Sequence, residues 1–96
     1  MTCWELYKIL IEKQAQKFLR SLPNKEYLKV FSKIQMLNTA QASSLDIKKL
    51  QGRFDQYRLR VGDYRVVFVI LSDQKILIVT LTEHRKIIYQ LLQRKK

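Results

Sequence analysis

Three arginines within Gln56–Phe68 have the types and spacing to bind an anion. Tyr57, Leu59 and Val61 alternate with Arg58 and Arg60, the period-two pattern of a strand with one buried face. Gly62 and Asp63 sit between two such runs, and Gly at the first central position suits a two-residue type II′ hairpin turn. That loop sets Val61 opposite Tyr64 and Arg60 opposite Arg65, with Arg58 on the same side. Like charges directly opposed on a sheet are destabilising, and arginine cannot shed its proton to relieve them. The arrangement fits a polyphosphate lying among the three side chains. A basic strand face is also the ordinary solvated surface of a globular protein, so the reading needs further residues. Lys48, Lys49 and Arg53 precede the hairpin, and His84, Arg85 and Tyr89 follow the last apolar run. Arg85 and Tyr89 stand four residues apart and share a helix face.

Other chemistries find no support. The two glycines are isolated, so there is no Gly-rich phosphate loop. Cys3 and His84 are single and far apart, which leaves no metal-ligand spacing. No serine has the G-x-S-x-G context, and the eight carboxylates form no obvious acid–base pair on one strand or helix face. No cofactor is expected. A lone cysteine gives no intrachain disulfide, and a reducing cytoplasm is the default.

The elements that must position these residues can be read in order. Cys3–Ile9 is expected to be a first strand. Ile11, Ala15, Phe18, Leu19 and Leu22 form the stripe of an amphipathic helix, which Pro23 ends. A second helix runs to about Leu37, with Tyr27, Val30, Phe31 and Ile34 on its apolar face. Residues 38–46 are polar and aperiodic, hence a loop, and residues 47–53 a short basic lead-in with a turn at Gly52. Strands follow at about Tyr57–Val61, Tyr64–Leu71 and Lys75–Thr82, then a terminal helix over His84–Arg94. The expected architecture is α+β: a small antiparallel sheet carrying a pair of N-terminal helices, with a short C-terminal helix.

A chain of 96 residues is expected to be one domain spanning residues 1–96. Its hydrophobic fraction of 47% argues against disorder. The longest apolar run, Val66–Leu71, is far short of the roughly 18–20 residues that span a membrane, and no secretory signal is visible. The formal net charge is +11, a field that attracts nucleic acid or acidic partners. Residues 48–65 hold six basic and two acidic groups, and residues 83–96 five and one. Most of the excess therefore lies in two short segments.

At these residues the chain resembles the RelE/ParE superfamily of toxins from prokaryotic toxin–antitoxin pairs. It is more similar to the RelE side, whose members cut messenger RNA on the ribosome. The resemblance is carried by Ala15–Pro23, by Leu50–Gly52 followed by Tyr57–Val66, and by His84–Tyr89, in matching element order (β-α-α-β-β-β-α). It implies a reaction in which the 2′-hydroxyl attacks the adjacent phosphate. Arg65 matches the arginine that binds the scissile phosphate, and Tyr89 a tyrosine assigned to base work or to positioning the base. Arg85 would stabilise charge at the leaving group. Arg58 and Arg60 stand where some members carry lysines; as arginines they are cast as phosphate clamps rather than proton carriers. His84 is an alternative proton carrier near neutral pH. Lys48, Lys49 and Arg53 would bind RNA backbone. The resemblance also implies a cognate antitoxin in a hetero-oligomer, the ribosome and message as partners, and a cytoplasmic location. The alternatives are a ParE-like inhibitor of DNA gyrase and a catalytically inactive RNA-binding relative.

Overall fold

Apolar residues at three- and four-residue spacing hold two helices against one face of a five-stranded sheet. The computed structural model describes residues 4–52 and 55–84. In order, the elements are β1 (Lys8–Ile11), α1 (Lys13–Ser21), α2 (Asn24–Gln35), β2 (Asp46–Lys49), β3 (Gln56–Val61), β4 (Tyr64–Leu71) and β5 (Ile76–His84). Two 3-10 turns, Met36–Asn38 and Ala40–Ser44, join α2 to β2. The sheet order is β1-β5-β4-β3-β2, with β1 parallel to β5 and every other pair antiparallel. The α+β architecture is the expected one.

Local differences have physical causes. Trp4 is buried beneath edge-on contacts to Tyr57 and Phe68, with ring centroids 5.2 and 5.4 Å away. The chain therefore turns at Glu5–Leu6, where the Tyr7 amide donates to the Trp4 carbonyl at 2.9 Å, and the first strand begins only at Lys8. Ile11 closes that strand instead of opening the helix: the next amide, of Glu12, donates to Val79 O at 2.9 Å. The basic lead-in is itself a strand, β2, paired with β3 from Asp46↔Arg60 to Lys49↔Tyr57. As an edge strand with Ile47 its one apolar residue, it shows no hydrophobic period. His84 ends β5, and the rest of the expected terminal helix lies outside the described residues, as does Cys3.

Leu22 adopts extended geometry before Pro23, which separates the helices as the sequence requires. Ala15 and Leu19 of α1 and Val30 and Ile34 of α2 are buried, one helical turn apart in each case. They meet Leu59, Val61, Val66, Phe68, Ile70, Leu77 and Val79 of the sheet in a single apolar cluster. Every second residue of β3 and β4 joins that cluster. The residues between them, Arg58, Arg60, Arg65 and Val67, project from the opposite face.

Candidate functional site

The site begins with the hairpin. Gly62 has φ of +59°, a conformation that L side chains rarely adopt. Asp63 does not share the positive φ, as a II′ turn requires. This two-residue turn fixes the register of β3 and β4, pairing Val61 with Tyr64, Arg60 with Arg65 and Arg58 with Val67. Paired residues on adjacent strands project to the same face, so Arg58, Arg60 and Arg65 share one.

The pairing continues into the neighbouring strands. Asp46 of β2 lies opposite Arg60, and Glu83 of β5 lies opposite Arg65. One row thus crosses four strands: Asp46, Arg60, Arg65, Glu83. Cross-strand side chains in such a row start about 5 Å apart. The next row holds Lys48, Arg58, Val67 and Leu81. A carboxylate thus stands at each end of the first row, on the strand beside one of its two central arginines.

The two central arginines differ in setting. Arg60 is exposed. Arg65 is 3% exposed, and its Nη1 donates to Gly62 O and Tyr64 O, each at 3.0 Å. It thereby holds the turn that sets the register. The Nε atoms of Arg65 and Arg58 are buried with no hydrogen-bond partner among the described residues. Buried donors of this kind are costly unless something accepts from them. On this face Arg60 presents an exposed guanidinium, with the buried charge of Arg65 on the strand beside it.

The other expected residues separate. Lys48 shares the arginine face, but Lys49 projects to the opposite one, beside Tyr57, and pairs with Asp55 at 3.6 Å. Alternation along β2 divides two neighbours that the sequence suggests as a unit. His84 is paired with Tyr64, its ring edge-on at 5.9 Å. Tyr64 also meets Phe18 of α1 at 6.1 Å. His84 is therefore on the helix-covered face, away from the arginines. Arg53, Arg85 and Tyr89 lie outside the described residues.

Glu83 is the residue that the sequence reading missed. Partial burial raises its pKa from the ordinary glutamate value. Its position depends on a β-bulge: Phe68 pairs with Val79 but Val67 with Leu81, leaving Thr80 as an extra residue in β5. Its hydroxyl donates to Val67 O at 3.3 Å, and Gln14 Nε2 donates to its carbonyl at 2.7 Å. An uninterrupted ladder would set Thr82 opposite Arg65 and turn Glu83 toward the helices. No hairpin pattern in the sequence signals that one-residue shift.

Residues 9–89 match the family described as ParE toxin of type II toxin–antitoxin system, parDE. Toxin RelE3 of Methanocaldococcus jannaschii is 35% identical over 85 residues, covering 85% of this chain and 94% of that protein. The archaeal RelE–RelB complex from Pyrococcus horikoshii OT3 contains a chain that superposes with a TM-score of 0.71 at 31% identity. That match covers 82% of this chain and 94% of the other. The RelB–RelE antitoxin–toxin complex from Methanococcus jannaschii gives 0.68 at 29% identity, over 83% and 94%.

Proposed function

We propose, from the premise that this chain belongs to the RelE/ParE superfamily of toxins, that it cuts messenger RNA on the ribosome. Membership makes it the toxin of a RelBE-type toxin–antitoxin pair, with an antitoxin as its protein partner. The observation that carries the ribonuclease reading is the arginine face. It gathers Arg58, Arg60 and Arg65 and keeps two buried guanidinium Nε donors without an acceptor among the described residues.

In the proposed reaction the 2′-oxygen attacks the neighbouring phosphorus and the bond to the 5′-oxygen breaks. Arg60, exposed, grips the phosphate. Arg65, deeper, stabilises the phosphorane through a charge that is already in place and needs no reorganisation. Preorganised stabilisers of this type contribute about 10²–10³ in rate. Lys48 and Arg58 hold the flanking RNA backbone. Arg85 stabilises charge on the departing oxygen, and Tyr89 positions the attacking nucleotide or assists its deprotonation; both are assigned by resemblance. The ribosome supplies the message in an extended form, and the antitoxin blocks toxicity by occupying the toxin.

Primer extension on cellular messages after brief induction tests this reading. Translation-dependent cuts within coding sequence are expected. The Arg65→Ala variant is expected to lose both the cuts and growth arrest, with co-purification of the antitoxin reporting that it still folds. A second reading, inhibition of DNA gyrase, is favoured by the ParE description of the matching family. Intact messages together with accumulated cleaved DNA would establish it instead.

A further inference from the structure

We infer that Glu83 takes the proton from the attacking 2′-hydroxyl, an inference that rests on the ribonuclease reading above. The described arginines on the site face stabilise charge but cannot move a proton, because the guanidinium stays protonated. His84, the described imidazole, projects to the other side of the sheet. Glu83 stands directly across from Arg65 in the row that holds Arg60.

Four further observations separate Glu83 from an ordinary surface carboxylate. The bulge at Thr80 turns it onto the arginine face, and bulges beside functional sites commonly re-aim a side chain in this way. Pairing with β1 ends at Ile11↔Val79, so the last part of β5 has no strand on that side among the described residues. Among the described residues Glu83 also accepts no hydrogen bond and joins no ion pair. Partial burial raises its proton affinity, bringing it closer to the neutral range in which a general base works best.

The step balances without a further reagent beyond water. A Glu83 oxygen accepts the 2′ proton as the 2′-oxygen forms its bond to phosphorus. The phosphorus–O5′ bond breaks, its electron pair stays on O5′, and that oxygen takes a proton from water. The products are a 2′,3′-cyclic phosphate and a 5′-hydroxyl, and Glu83 returns its proton to solvent. The described charged groups in its row are Arg65 on β4, then Arg60 on β3 and Asp46 on β2. Lys13 and Lys17 of α1 lie on the helix-covered side, and Lys8 of β1 is at the far end of β5.

The test is single-turnover cleavage of message on programmed ribosomes, measured from acid to neutral pH for the whole protein and two variants. Wild type is expected to lose rate as pH falls through the raised Glu83 pKa. Glu83→Gln is expected to be slower by about 10²–10⁴ at neutral pH and to lose that acidic limb. Glu83→Asp keeps a carboxylate and is expected to retain the limb and recover part of the rate. A Gln variant within about threefold of wild type, or one that keeps the limb, overturns the role of Glu83 and leaves the ribonuclease reading standing. Wild type that cuts no message on ribosomes overturns both.

Discussion

Opposed guanidinium groups at positions 60 and 65 stand in a row with a carboxylate at either end, and two carbonyls accept from Arg65 Nη1. Glu83 then bears a cost of its own. Burial raises its pKa, so the folded protein holds that proton more tightly than the unfolded chain does. Its ionised form therefore opposes folding at neutral pH. The opposition fades as pH falls through the folded pKa and is gone below the unfolded one. Glu83→Gln is expected to melt at a higher temperature than wild type at neutral pH, with the two midpoints converging in acid. Thermal unfolding across that range checks it. Higher stability combined with lost cleavage would be the mark of a group kept for its chemistry.

The β3–β4 hairpin is where sequence and structure agree most closely, because its turn chemistry is local. Gly62 at φ +59° makes the turn sensitive. Gly62→Ala is expected to lower stability by about 1–2 kcal/mol, with Gly62→Asn milder because asparagine tolerates this conformation better. Denaturant unfolding of both variants measures the difference. A Cβ at that position would approach only the flexible end of Lys29, at 3.2 Å, so backbone strain should dominate. The helices and the Arg60↔Arg65 pairing were legible for similar reasons: a stripe of apolar residues, a proline and a glycine each act within a few positions. What escaped depends on partners distant in sequence. β2 is a strand because β3 offers it an edge, and its own residues carry almost no apolar alternation. Ile11 fits a helical stripe as well as a strand end, and Val79 decides between them. The separation of Lys48 from Lys49 follows once β2 exists. Glu83 was invisible because Thr80, fifteen residues beyond Arg65, shifts the ladder by one place.

Across the whole molecule, the +11 charge is divided by the sheet. Lys48, Arg58 and Arg60 gather on one face with Arg65, while Lys13, Lys17 and Arg20 belong to α1 on the other. Among the described residues no helix is long and apolar enough to cross a membrane. RNA affinity is expected to fall steeply with salt. Replacing Lys48, Arg58 or Arg60 singly by Ala should reduce the slope of log affinity against log salt by about one each. Lys49→Ala, on the other face, should leave the slope unchanged. Filter binding or fluorescence titration over a range of salt concentrations separates these outcomes. The strand order carries a consequence for synthesis. β1 leaves the ribosome first yet lies beside β5, with Lys8 waiting for Ile76. Loop closure over such a span is slow compared with local pairing. A nascent chain released after the β3–β4 hairpin would have neither the neighbour that β1 needs nor the carboxylate across from Arg65. Premature termination is thus expected to yield fragments without an assembled site, and the ability to harm the cell should not arrive before the last strand is made.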